Sequence, residues 1–176
     1  MRIEVDRLAE TGESFAHTYG PDELSLEDEY ARLKGETKVS GRASGKRDEV
    51  SVRGEIKGTV EVACNRCAGP VAVALEIEFN AAFVPRERAA SLTENVELQE
   101  EDLALSYYED GAVDIDELAR EQILLALPLR QLCREECRGL CPACGKDLNV
   151  VQCSCQKVEI DPRWAALADL KKEEKP

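Results

Sequence analysis

Eight cysteines are the residues of this 176-residue chain best suited to chemistry, and their spacing is that of metal ligands. They run Cys64-x2-Cys67, then Cys133-x3-Cys137-x3-Cys141-x2-Cys144-x8-Cys153-x-Cys155. A C-x2-C turn sets two sulfurs on one side of an ion while backbone amides point at them, and zinc takes four thiolates in a tetrahedron. In Cys141-Pro142-Ala143-Cys144-Gly145, Pro142 fixes the turn and Gly145 permits the positive φ needed after the second ligand. Cys153 and Cys155 supply the other pair of this first site across a short loop. Cys64-Asn65-Arg66-Cys67 reads as a second knuckle between two strands, and Cys133 and Cys137 complete its set. A second assignment also fits the spacing: Cys137 joins the Cys141/Cys144 knuckle and Cys133 stays free. The expected cofactor is Zn2+, as two structural ions and at minimum one.

Other uses of the thiols fit less well. The N-terminus, Met1-Arg2-Ile3-Glu4-Val5-Asp6, has no apolar core of a signal peptide, and no apolar run is long enough to span a membrane. The expectation is a cytoplasmic protein, where thiols stay reduced and a disulfide framework does not persist. Eight buried core thiols would not need two C-x2-C pairs. A redox role lacks its βαβ context. A catalytic zinc centre built on histidine is excluded by the presence of a single histidine, His17. There is no nucleophile elbow, phosphate-binding loop or dinucleotide-binding turn, so no enzyme and no small-molecule substrate are expected. The formal net charge is −13, which opposes broad binding to nucleic acid. Arg66, Arg130, Arg134, Arg138 and Lys146 sit among the cysteines. They either balance anionic metal sites or touch RNA or a partner.

The elements that must position these residues are mainly strands. Met1 to Leu8 alternates as a short strand, and Ser14 to Glu29 is polar around a Gly20-Pro21 turn. Leu33 to Ala43 alternates weakly, and Val50, Val52, Ile56, Val60 and Val62 continue the β pattern. Val71, Val73, Leu75, Ile77 and Phe79 fall strictly on one face. Links as short as these favour an antiparallel meander with one apolar face. Pro85 to Asp102 reads as a charged surface loop, and Leu103, Leu105 and Tyr107 as one more strand. Asp114 caps a helix from Ile115 to about Leu127, with Glu117 as capping-box partner and Pro128 as the stop. Six cysteines crowd residues 129–156, where large apolar side chains are few. Asp161-Pro162 opens a terminal helix carrying Trp164, Leu167 and Leu170. The expected fold class is α+β: an antiparallel β-meander covered by one helix, a C-terminal Cys-rich zinc-knuckle segment and a short terminal helix. The boundaries are 1–128 for the core and 129–176 for the Cys-rich segment, integrated into one domain.

These residues resemble a known family. Cys64-Asn65-Arg66-Cys67 is similar to its C-x-R-C motif. Asp114-Ile115-Asp116 and Arg120 to Pro128 resemble its central helix. Cys137 to Asn149 with Cys153-Ser154-Cys155 resembles its cysteine block, and Asp161-Pro162-Arg163 with Leu167 to Lys171 its closing segment. The family is YceD, the large ribosomal RNA subunit accumulation proteins of bacteria and plastids, and the resemblance covers about residues 50–171. It implies a non-enzymatic ribosome-biogenesis role in accumulation or processing of 23S (large-subunit) rRNA. The implied partner is the precursor large ribosomal subunit, through rRNA or ribosomal proteins. Some members lack the C-terminal cysteines, so the resemblance does not make metal part of the role. A zinc-stabilised protein–protein adaptor without RNA contact is the alternative.

Overall fold

The computed structural model describes residues 1–90, 105–155 and 163. The chain divides into two compact units: Met1–Ala63 with Pro70–Gln131, and Cys64–Gly69 with the chain from Leu132 onward.

The first unit is built on a sheet of order β2-β4-β5-β6-β7, with β3 paired to β5 beyond the end of β4. Its strands are β2 (Glu13–Tyr19), β3 (Ala31–Leu33), β4 (Thr37–Lys46), β5 (Glu49–Ala63), β6 (Pro70–Pro85) and β7 (Leu105–Tyr108). A separate two-stranded sheet pairs β1 (Arg2–Glu4) with β8 (Ala112–Asp114). The alternation read over Val71–Phe79 is real: Leu75 and Phe79 are buried, and Val71, Val73 and Ile77 pack against the same core. On β4 and β5, Val39, Ala43, Val50, Val52, Ile56 and Val60 are fully buried. Period-two sequence thus becomes one dry face.

Gly41 and Gly54 stand opposite each other on β4 and β5. A Cβ on Gly54 would lie 2.2 Å from the Ser40 carbonyl oxygen, and one on Gly41 2.4 Å from that of Arg53. The Phe15 and Phe79 rings lie over the two glycines, so aromatic surface replaces the missing side chains.

Several expectations need correction. The polar stretch after Ser14 is partly a strand: β2 pairs antiparallel with β4, turning Phe15, His17 and Tyr19 inward. The segment Met1–Leu8 gives only three strand residues and then a 3₁₀ turn (Val5–Arg7). The sheet is not wholly antiparallel, because β7 runs parallel to β6. The connection from residue 86 to residue 104 is long enough for a crossover, which the short links elsewhere are not. It opens with a short helix, α1 (Arg86–Ala90). The expected strand residue Leu103, and the terminal helix with Trp164, Leu167 and Leu170, lie outside the described residues.

The central helix α2 (Ile115–Ala126) starts where its cap demands. The Asp114 carboxylate accepts from the backbone N–H of Asp116 (2.9 Å) and of Glu117 (3.3 Å). Ile115, Leu118, Ala119 and Ile123 are buried and join the core. Leu24, Leu26 and Val113 belong to that core as well, so α2 does not complete it alone. The Tyr19 hydroxyl donates to Asp116, joining β2 to α2.

Candidate metal centres

All eight sulfurs belong to the second unit, whose described residues bury little hydrocarbon. Its buried apolar residues, among those described, are Cys64, Cys137 and Cys141, while Leu140, Val150 and Val151 are exposed. The described part alone buries too little apolar surface to offset its chain entropy.

The first group begins where the β5–β6 hairpin turns. Ala63 and Pro70 are the last paired residues, and Cys64–Gly69 connect them. Cys64 N–H donates to the Gly69 carbonyl (2.8 Å), and Ala68 N–H to that of Cys64 (2.9 Å), with Ala68 at φ +56°. This turn presents Cys64 and Cys67 to Cys133 and Cys137. The four sulfurs lie within 4.8 Å of one another. Cys64 and Cys137 Sγ are 3.8 Å apart, and Cys67 and Cys133 Sγ 3.7 Å. A tetrahedron of thiolates around zinc, with Zn–S about 2.3 Å, has edges of about 3.8 Å. A disulfide would need about 2.05 Å.

The second group is Cys141, Cys144, Cys153 and Cys155, also within 4.8 Å. Leu140 and Asp147 form a β-bridge that closes the knuckle's base. Inside it, Cys141 N–H donates to the Lys146 carbonyl and Gly145 N–H to that of Cys141, both at 2.8 Å. Gly145 has φ +71°, the left-handed conformation its place after the second thiol requires. The pairing that moved Cys137 to this knuckle does not occur: its sulfur lies with Cys64, Cys67 and Cys133.

Within each group the thiols differ in acidity. Burial raises the pKa of Cys64, but N–H donors from Arg66, Cys133 and Cys67 outweigh it and bring the thiol to about 6. Backbone N–H groups of Cys144 and Ala143 bring Cys141 to about 6. Cys133 is pushed up to about 12, first by its hydrogen bond with Cys137 and then by desolvation. Cys155 is pushed up to about 12 by Cys144 and Cys141. Each group therefore ionises in part and then resists, because thiolates packed at this distance repel. A divalent cation removes that repulsion, so each four-sulfur cluster can hold a metal ion.

Two residues outside the thiols organise the unit. The Arg66 guanidinium donates through Nη1 to the carbonyls of Cys137 (2.8 Å) and Glu135 (3.2 Å), and Leu140 N–H donates to the Arg66 carbonyl (3.0 Å). Gly139, at φ +74°, passes so close that a Cβ would lie 2.9 Å from that same carbonyl oxygen. Arg66, singled out as a contact residue, thus braces one knuckle against the chain around Cys137. Asn149 was not singled out. Its Nδ2 donates to Cys137 Sγ (3.4 Å) and to Asp147 Oδ1 (2.7 Å), and its Oδ1 accepts from Arg138 N–H (2.8 Å). It therefore touches the first thiol group from the turn that follows the second knuckle. Arg134, Arg138 and Lys146 are exposed in this unit, and Arg130 is exposed in the first.

Among the described residues no helix is long and apolar enough to cross a membrane. Residues 52–171 match the model of the family described as large ribosomal RNA subunit accumulation protein YceD. The uncharacterized protein YlbN of Bacillus subtilis is 28% identical over 97% of this chain and 95% of its own length. The uncharacterized protein ML1660 of Mycobacterium leprae is 31% identical over 70% of this chain and 54% of its own length. A chloroplastic protein of Arabidopsis thaliana, named large ribosomal RNA subunit accumulation protein YCED homolog 1, is 30% identical over 35% of this chain and 19% of its own length. No solved structure matches the chain.

Proposed function

Since the chain belongs to the YceD family of large ribosomal RNA subunit accumulation proteins, we propose that it is a non-enzymatic, cytoplasmic ribosome-biogenesis factor. It supports accumulation and processing of 23S (large-subunit) rRNA by acting on the precursor large subunit. The observation that carries this reading is the family match, which spans every cysteine and all of β6 and α2. The metal in both thiol groups is zinc, with Cys64, Cys67, Cys133 and Cys137 on one ion and Cys141, Cys144, Cys153 and Cys155 on the other. Four thiolates saturate tetrahedral zinc and leave no position for water or substrate. The sites therefore hold the unit folded and perform no reaction. Arg130, Arg134, Arg138 and Lys146 are available to a partner, whereas Arg66 is engaged in the fold.

Sucrose-gradient profiles of cells depleted of the protein test this role. Free large subunits should fall, and particles containing unprocessed large-subunit rRNA should appear. A normal profile would overturn the reading. The net charge of −13 favours a second reading, an adaptor that meets basic ribosomal proteins and never RNA. Crosslinking in cells separates the two, since an adaptor yields protein adducts alone.

A further inference from the structure

Basic residues are not evenly spread over this acidic chain. Thr37–Arg47 runs eleven residues with Lys38, Arg42, Lys46 and Arg47 and no acid. It is β4 and its turn. A strand sends alternate side chains to opposite faces. Val39 and Ala43 are buried, so Lys38, Ser40, Arg42, Ser44 and Lys46 line the solvated face. Basic residues spaced by four thus share one track.

The neighbours reinforce that track on one side and end it on the other. On β5, Arg53 stands directly opposite Arg42, and both are exposed. Like charges paired across strands destabilise a sheet. Among the described residues neither guanidinium has a carboxylate ion-pair partner. Arg42 donates instead to the Gly12 carbonyl (3.2 Å). Lys57, opposite Lys38, is paired with Glu55 at 2.6 Å. On β2, the residues opposite Lys38, Ser40 and Arg42 are Thr18, Ala16 and Ser14, all small. One acid borders the track at its middle: Glu55 stands opposite Ser40, whose hydroxyl donates to it (3.4 Å). More acid gathers farther across, with Glu76 and Glu78 on β6 opposite Lys57 and Glu55, and Glu49 lies opposite Lys46 at the turn. The face is therefore positive along β4, low along β2, bordered by Glu55 and Glu49 on β5, and negative along β6.

We propose that the solvated face of β4, with Arg53 beside it, is where this protein contacts RNA. Lys38, Arg42, Lys46 and Arg53 meet backbone phosphates, and the small side chains of β2 leave room for the strand. The contact is to phosphate, so it carries little base specificity. This inference rests on the large-subunit rRNA reading for the identity of the RNA. It adds a surface remote in sequence from the basic residues of the cysteine segment.

Fluorescence anisotropy of the zinc-loaded full chain with a labelled transcript of large-subunit rRNA, across a salt series, tests it. Replacing Lys38→Gln, Lys46→Gln and Arg53→Gln together should lower the slope of log K against log salt by about 2, at about 0.7 per contact for a single strand. Arg53→Gln alone should lower it by about 0.7 without loss of melting temperature, since it relieves a like-charge pair. Ser40→Glu with Ser44→Glu should weaken binding while removing no cation. Arg32→Gln with Lys34→Gln, both already ion-paired with Glu61, should leave the slope unchanged. No RNA binding by the wild type, or an unchanged slope in the β4 variants, would overturn the inference. If depletion lowers large-subunit rRNA yet the chain binds no transcript, the β4 surface fails and the family role stands. If the chain binds through β4 yet depletion leaves rRNA unchanged, the role fails and the surface stands.

Discussion

Asn149 shows what a residue can do beside a four-thiol cluster without belonging to it. Its amide donates to the Cys137 sulfur and to Asp147, fixing one thiol from a turn twelve positions on. Groups that orient ligands typically matter 10–100-fold for metal affinity. Asn149→Ala should therefore weaken zinc in the Cys64/Cys67/Cys133/Cys137 site by about that factor and spare the other, measured by competition with a chromophoric chelator. Under the two-zinc proposal Cys141→Ser should remove one ion outright, so native mass spectrometry should find two zinc ions in the wild type and one in the variant. The two C-x2-C knuckles were legible because such turns are local, while the place of Cys137 stayed open between two assignments until the fold joined it to Cys64, Cys67 and Cys133. Asn149 and the commitment of Arg66 were not, because each depends on segments that meet only in the fold. A lone Asn or Arg carries no periodicity that could mark it.

At the scale of elements, two tight contacts in the first unit carry consequences. Gly54 lies against the β4 backbone, and a Cβ there would meet the Ser40 carbonyl oxygen at 2.2 Å. Backbone cannot move aside as a side chain can, so Gly54→Ala should cost about 3 kcal/mol, read by chemical denaturation. Tyr19 is buried, and its hydroxyl donates to Asp116 at the start of α2. Burial pushes the Asp116 pKa up, but hydrogen bonds from the Met1 amine and Tyr19 outweigh it and hold the carboxyl below its ordinary value. A depressed carboxyl stabilises the fold above its unfolded pKa, and that stabilisation is lost as pH falls through the folded value. Tyr19→Phe should cost about 1 kcal/mol at neutral pH. The gap between variant and wild type should shrink below about pH 4, seen in urea melts across pH. The long alternation of β6 and the cap of α2 were readable because each is a local pattern with one physical cause. β2 was hidden because His17 interrupts its inward apolar side chains and Ala16 sits among its outward ones, which blurs the alternation. The parallel course of β7 was hidden because strand direction is set by a connection, and no residue pattern within the strand encodes it.

For the molecule as a whole, the two units draw on different sources of stability. The first buries valine, leucine, isoleucine and phenylalanine, and the second buries sulfur. Binding of structural zinc contributes about 10–16 kcal/mol near neutral pH, comparable with the whole stability of a domain, about 5–15 kcal/mol. A strong chelator should therefore unfold the Cys-rich unit, with near-complete amide exchange there. The β4, β5 and β6 amides of the first unit should stay protected in the same hydrogen-exchange experiment. The role itself is tested most directly by the ratio of large- to small-subunit rRNA in cells depleted of the protein and then resupplied with it. That ratio should fall on depletion and return on resupply; a ratio that never moves would contradict a role in large-subunit rRNA accumulation.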